Sequence, residues 1–259
     1  MYSEQVLREG LKTKRFGRKI YTFDTIDSTN NCARALAGCW AEEGTVIIAE
    51  EQTAGRGRLG RPWLANPNEN LTFSIILRPA LLPDQLNIIP LYVAVAVTQA
   101  VERVSGLKVE CKWPNDLLIK GRKFGGILIE GSVKQNAVEY VVVGIGINVN
   151  QERFAGDLAK TATSLRLQKG AQIDRKRLFG EILNSMESHY ATASNSHFQS
   201  ILPLWRSYTS MIDKKISVME HGAMVSGVVR GFTPEGGLVM ETEGKERTLF
   251  AGDVTVVGS

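Results

Sequence analysis

The sequence predicts an α+β protein, a mixed β-sheet flanked by helices and followed by a small C-terminal β-barrel. Three observations predict it. Short runs rich in β-branched residues recur between Tyr21 and Asn150. Two long segments, beginning near Asp84 and at Asp174, read as helices. From about Asp213 the chain alternates short apolar strands with Gly-rich turns, the pattern of a small antiparallel barrel.

Each element has its local reason. Tyr21–Asp24 reads as a short strand, and Asp27-Ser28-Thr29-Asn30 supplies capping side chains before the helical NCARALAGCW. Thr45–Glu50 is an apolar, β-branched run and reads as a buried strand; Leu71–Leu77 is the next. The segment 84–104 reads as a long helix, with Pro90 placing its proper start near that residue. Strands follow at Lys108–Lys112, Leu117–Ile119, Gly126–Glu130 and Glu139–Asn150, with KGRK and VKQNA as hairpin turns. Asp174 caps a helix through Tyr190 that carries Phe179, Ile182, Leu183, Met186 and Tyr190 on one face. A further helix is expected over 197–208. The strands KISVM, VSGVVRGF, GGLVMET and RTLFAGDVTVV then build the barrel.

Composition bounds the function. Of 259 residues, 43% are hydrophobic and 22% charged, which describes a globular chain. Against 27 acidic residues stand 31 basic ones, a net charge of +4. That excess suits an anionic ligand locally and is too small for a general nucleic-acid binder. No stretch approaches the roughly 20 apolar residues of a membrane span, and the start lacks the apolar run of a secretory signal. Cys32, Cys39 and Cys111 have no metal-ligand spacing, so reduced cysteines and a cytoplasmic location are expected. His189, His197 and His221 are late and scattered, which argues against a His-based triad or a zinc site.

Four stretches carry chemistry. GRGRLGR, Gly55–Arg61, alternates glycine with arginine beyond a strand end. Glycine lets backbone N–H groups approach an anion, and arginine adds fixed forks of donors. It is neither a Walker A loop nor a Rossmann fingerprint. Alone it fits a ligand loop or a solvated turn equally; if extended, it presents Arg56 and Arg58 to the same side. KWPNDL, Lys112–Leu117, is a hairpin turn with a packed indole, or a turn whose Lys112 and Asp116 face a polyphosphate and its Mg²⁺. Lys123 precedes Phe124-Gly125-Gly126, where a ligand can lie against bare backbone. GIGINVN, Gly144–Asn150, removes side chains where something approaches, and Asn148 has the donor and acceptor to read a base edge.

The conjunction is more specific than its parts. DSTN, EQTAGRGRLGRPW, KWPNDL, KFGGILIE and GIGINVN, in that order and spacing, closely resemble the biotin protein ligase family, also called biotin–[acetyl-CoA carboxylase] ligase. No motif position departs from the pattern. The resemblance is strong from about Tyr21 to Asn150, weak through the helical part, and returns in the barrel.

The resemblance implies a class II synthetase-like catalytic domain at 1–211, binding biotin and ATP, and an SH3-like barrel at 212–259. It implies that biotin and ATP, with Mg²⁺, give biotinoyl-5′-AMP and pyrophosphate, and that biotin then passes to one lysine of a biotin carboxyl carrier domain. The incoming nucleophile belongs to that partner, which accounts for the lack of an internal one. By resemblance, Ser28, Thr29 and Asn30 form the ureido site with Gln52 at its edge, and Gly55, Gly57, Gly126 and Leu128 complete the biotin pocket. Arg56 grips the biotin carboxylate and α-phosphate, Arg58 retains the adenylate, and Lys123 contacts the activated carboxyl. Trp63 stacks on adenine and Asn148 bonds its edge; Lys112 places phosphates, and Asp116 the metal. Arg56 and Lys123 carry the catalysis. A Gly-hinged lid that closes over a hydrolysable anhydride explains the composition of GRGRLGR. Some twenty residues precede the first catalytic strand, so the single-function form, without a DNA-binding domain, specific DNA or membrane, is expected. The family allows a homodimer. Two rivals remain: a lipoate-type acyl-adenylate ligase, and a nucleic-acid module using the Gly-Arg loop. The latter needs more aromatic residues beside the charge than Trp63.

Overall fold

A computed structural model describes residues 3–196, 198–220 and 223–256. Seven strands form the main sheet: β1 (Ile20–Ile26), β2 (Val46–Gln52), β3 (Leu71–Leu77), β4 (Glu110–Lys112), β5 (Asp116–Ile119), β6 (Arg122–Lys134) and β7 (Ala137–Ile147). Their order is β1-β2-β3-β7-β6-β5-β4. β1 and β2 run parallel, and every other pair is antiparallel.

The helices are α1 (Glu4–Arg8), α2 (Thr29–Gly38), α3 (Ile88–Ser105), α4 (Leu158–Thr161), α5 (Leu165–Lys169), α6 (Arg175–Ala193) and α7 (Ile201–Arg206). Their starts obey local chemistry. Ser28 caps α2 by accepting from Asn31 N, and Asp174 caps α6 by accepting from Arg177 N. Pro90 stands third in α3, where its missing N–H costs no helical bond. The same rule shortens the helix expected at 197–208. Pro203 must lie in a first turn, and Phe198 has φ of 65°, so α7 begins only at Ile201. His197, the expected start of that helix, lies outside the described residues, as does His221.

The two faces of the sheet have different jobs. On one, α3 and α6 cover Phe73, Ile75, Val143 and Ile145; Phe73 meets Phe179 edge-on at 5.2 Å. α3 is apolar nearly all round because sheet, α6 and α7 surround it. Against the expectation that no stretch approaches a membrane span, the helical segment Pro83–Ser105 is long and apolar enough to cross one, but most of its apolar window is buried inside the fold, as in a core helix. On the other face, α2 packs Ala33 and Ala37 against Ile47, Ile76 and Val142 over half the sheet only. The uncovered half is where a ligand can enter.

A second, antiparallel sheet follows: β8 (Lys215–Glu220), β9 (Ala223–Phe232), β10 (Leu238–Thr242), β11 (Lys245–Leu249) and β12 (Asp253–Val256), in the order β11-β10-β9-β8-β12. The stretch RTLFAGDVTVV, expected as one strand, is therefore two, broken at Phe250–Gly252 so that β12 can cross to pair with β8. Trp205 packs edge-on against Phe232 at 4.7 Å, and buried Trp113 donates its indole N–H to Gly236 O at 2.9 Å. The indole of KWPND thus fastens the two sheets.

Candidate active site

On the uncovered face, strand register lines up residues distant in sequence. Thr72 of β3 pairs with Gly146 of β7, which pairs with Gly126 of β6. One step along, Ser74, Gly144 and Leu128 align in the same way, and after them Ile76, Val142 and Glu130. Paired residues share a face, so the glycines leave a stretch of sheet with no side chains of its own, over which other side chains can lie, in the wall of a cavity of about 490 Å³. A Cβ on Gly144 would collide with the Asn30 amide, and one on Gly146 with the Trp63 indole. Those two side chains lie directly on the sheet.

One end of the cavity is a buried polar cluster. Gln52 Oε1 accepts from Thr29 N at 2.7 Å and from Thr29 Oγ1 at 3.0 Å. Ser74 Oγ lies 2.8 Å from Thr29 Oγ1 and donates to Asn30 Oδ1 at 2.6 Å. Asn30 Nδ2 donates to Glu130 Oε2 at 2.8 Å. Thr29, Asn30 and Ser74 are buried, so the cluster is preformed rather than assembled by a ligand.

The other end is cationic. The loop after β2 is folded rather than extended: Gly57 N donates to Arg61 O at 2.7 Å and Trp63 N to Gly55 O at 3.0 Å. Leu59 takes φ of 55° inside this turn. Arg56 and Arg58 therefore do not point the same way. Arg56 Nη2 donates to Asn31 Oδ1 at 2.7 Å and to Glu130 Oε2 at 3.0 Å, while Arg58 Nη1 reaches Asn115 Oδ1 at 3.2 Å and Gly252 O at 3.3 Å. The first arginine faces the polar cluster; the second ties the loop to the KWPND turn and the second sheet. Asp27 holds Asn31 from behind, its Oδ2 accepting from Nδ2 at 2.6 Å; that bond, the Ser28 N–H and nearby Arg56 lower the Asp27 pKa below the usual carboxylate value.

Between the ends, Lys123 Nζ lies 2.5 Å from Asp116 Oδ1 and 5.9 Å from the Trp63 ring centroid. The indole Nε1 of Trp63 is buried with no hydrogen-bond partner. Asn148 lines the cavity, its Nδ2 donating to Thr163 O at 3.1 Å, which leaves Oδ1 for a ligand. Among the described residues no three His, Cys, Asp or Glu side chains gather closely enough to hold a metal. Asp116 is the carboxylate on the cavity wall, so the site fits a Mg²⁺ that arrives already coordinated by phosphates.

A sequence model of the biotin/lipoate A/B protein ligase family matches residues 22–148. The bifunctional ligase/repressor BirA of Bacillus subtilis is 37% identical over 254 residues, spanning 97% of this chain and 78% of its own. The chain belongs to the biotin protein ligase family. The biotin–[acetyl-CoA-carboxylase] ligase of Mycobacterium tuberculosis is 34% identical, over 88% of this chain and 85% of its own. The biotin protein ligase of Aquifex aeolicus in complex with biotin and ATP superimposes with a TM-score of 0.78 at 26% identity, covering 93% of this chain and 100% of that one.

Within this biotin protein ligase fold, the cavity gathers Ser28, Thr29, Asn30, Gln52, Arg56, Gly57, Arg58, Trp63, Asp116, Lys123, Gly126, Leu128 and Asn148 of the residues expected from sequence. Two stand outside its lining. Gly55 is one, where a Cβ would collide with the Trp63 carbonyl and the Gln52 amide; Lys112 is the other, ending β4 and paired with Asp116 one strand from the cavity. Ser28 lines the wall, but its hydroxyl is engaged as the α2 cap. The sequence reading missed Ser74, Asn31, Asn115 and Glu130. Ser74 had a signal: it and Thr72 are alternate hydroxyl residues in an otherwise apolar strand. Glu130 also had one, standing at period two from Gly126 and Leu128 in KFGGILIE.

Proposed function

We propose that this protein joins biotin to ATP, forming biotinoyl-5′-AMP and pyrophosphate, and then passes the biotinoyl group to a lysine of a biotin carboxyl carrier domain. The observation that carries this reading is one cavity with a buried polar end, a glycine floor and a cationic mouth. A urea-like ring needs paired donors and acceptors at its closed end, and a flat apolar bicycle needs a floor without side chains. The carboxylate tail then emerges among cations.

The residue roles follow. Thr29, Asn30 and Gln52 hold the ureido group; with Gln52 Oε1 already satisfied by Thr29, Nε2 is what Gln52 has left to offer. Arg56 and Lys123 offset the repulsion between the biotin carboxylate and the α-phosphate as the carboxylate oxygen attacks phosphorus and pyrophosphate leaves. Trp63 moves from the glycine floor to stack on adenine, and Asn148 presents Oδ1 to its edge. Mg²⁺ supplies neutralisation of the phosphates, with Asp116 as the residue that would hold it. In the second half-reaction the carrier lysine attacks the anhydride carbonyl and AMP leaves. Arg58 keeps the lid closed until then. We divide the chain at 211/212 into a catalytic domain and a barrel that helps close the lid, and we place the enzyme in the cytoplasm with its carrier.

The test is mass spectrometry of a purified carrier domain incubated with this protein, biotin and MgATP. One added biotinoyl group on one lysine is expected. Modification by lipoate in place of biotin would move the assignment to the other branch of the family.

A further inference from the structure

Glu130 is absent from the roles above, yet it touches both ends of the site. Its carboxylate accepts from Asn30 Nδ2 at 2.8 Å, from Arg56 Nη2 at 3.0 and 3.1 Å, and from Arg34 Nη1 at 3.4 Å. It lies on β6 beyond Gly126 and Leu128, on the same face, so the strand itself aims it along the floor.

We propose that Glu130 is a positioning residue that orients Asn30 for the biotin ring and holds Arg56 in place until an incoming anion replaces the Glu130 carboxylate. This rests on the reading of the cavity as a biotin site. An ionised carboxylate only accepts, so it selects the donor end of the Asn30 amide, and Ser74 Oγ takes the acceptor end at 2.6 Å. The amide is therefore held against rotating end for end, and one hydrogen and one lone pair are left over for the biotin ring. On the loop side, the Arg56 side chain is 39% exposed and that of Glu130 21%, so their pair is partly hydrated and exchangeable. When the biotin carboxylate, and then a phosphate, arrives, the guanidinium trades one anion for another. Glu130 keeps Arg34 and Asn30 as donors after the exchange, so neither charge is stranded. Arg56 is thereby tethered in the ligand-free enzyme, and only an anion that can compete takes it over, so that the loop exchanges its tether to Glu130 for one to the ligand.

Two variants separate the two jobs. E130Q keeps a carbonyl acceptor for Asn30 and loses the charge that holds Arg56; Glu130→Ala loses both. In ligand-free protein, hydrogen exchange over residues 55–61 is expected to quicken about threefold to tenfold in both variants, since a local tether has been cut. Calorimetry is expected to give a biotin affinity unchanged to about threefold tighter for E130Q, where Asn30 keeps its acceptor and Arg56 loses its competing anion, and about tenfold weaker for Glu130→Ala, the scale of one hydrogen bond. The KM for ATP is expected to fall about threefold in E130Q, because Arg56 no longer has a competing anion. A merely structural residue would instead raise both KM values and lower Tm together. Wild-type exchange over the loop in E130Q, or wild-type biotin affinity in Glu130→Ala, overturns the proposal. Wild-type protein that fails to bind biotin overturns the ligase reading instead; the exchange measurement, made without ligand, still judges the loop tether alone.

Discussion

At the scale of single residues, the two loop arginines have separable duties because their partners differ. Arg56 faces the polar end of the cavity and is half exposed, so Arg56→Ala should leave the fold intact. It removes a charge-assisted interaction worth about 1.5–3 kcal/mol, and biotin-dependent ATP–pyrophosphate exchange should fall roughly tenfold to a hundredfold. Exchange at the wild-type rate would move the catalytic cation to Lys123. Arg58 instead spans loop, turn and barrel through Asn115 Oδ1 and Gly252 O. Arg58→Gly deletes that span and adds a residue free of side-chain restraint. Adenylate formation should persist while biotinoyl-AMP escapes. Blotting for biotin on an unrelated lysine-rich protein measures the leak, and labelling no greater than wild type rules out the retention role.

At the scale of elements, the loop after β2 and helix α6 make contrasting cases. The loop's backbone closes on itself through Gly57 N to Arg61 O and Trp63 N to Gly55 O, its arginines Arg56 and Arg58 tie it to the rest of the fold, and its Leu59 and Leu64 stand exposed. Amide exchange over 55–61 should slow markedly once biotinoyl-AMP forms; equal rates with and without adenylate would remove the lid mechanism. α6 is anchored in the core and carries His189, whose Nε2 lies 2.8 Å from Gln99 Oε1. Burial, and secondarily nearby Arg103, push the His189 pKa below its ordinary value. The unfolded chain therefore binds a proton more readily than the folded one, so this group's contribution is complete above about pH 6.5 and is lost as pH falls through the folded pKa. Tm should drop between pH 7.5 and 5.5, and His189→Gln, which keeps a donor for Gln99, should flatten part of that drop. An unchanged slope in the variant would assign the pH dependence to carboxylates.

At the scale of the whole molecule, the first sheet carries the cavity and the second is tied to the loop that lines it. Trp113 and Trp205 fasten the second sheet to the first, and Arg58 reaches Gly252 beside the cavity mouth. Ligand binding should therefore stabilise the chain as one unit. A ligand at a hundred times its Kd contributes about 2.7 kcal/mol, which for a chain of this size is roughly 5–10 °C in Tm. Biotin and ATP should each raise Tm, and together raise it further. A melting curve unmoved by saturating biotin would count heavily against the ligase reading.

The sequence by itself determined the parts governed by neighbours along the chain. Ser28 and Asp174 cap their helices, Pro90 marks the first turn of α3, and Leu71–Leu77 is a strand from end to end, because caps, turns and periodicity act over a few residues. The motif order was equally legible, and most residues it singled out do line one cavity. What only the tertiary structure decided depends on strand order and register, which local pattern does not encode. Ser74 meets Thr29 and Asn30 across about forty-five positions, and Glu130 joins Arg56 to Asn30 across 74 and 100. The folded turn that sends Arg56 and Arg58 apart is closed by Gly57 N–H to Arg61 O, a bond that GRGRLGR permits but does not require. Its partners, Glu130 on one side and Asn115 and Gly252 on the other, fix that choice, because a glycine-rich loop has little preference of its own and takes the conformation its distant contacts reward.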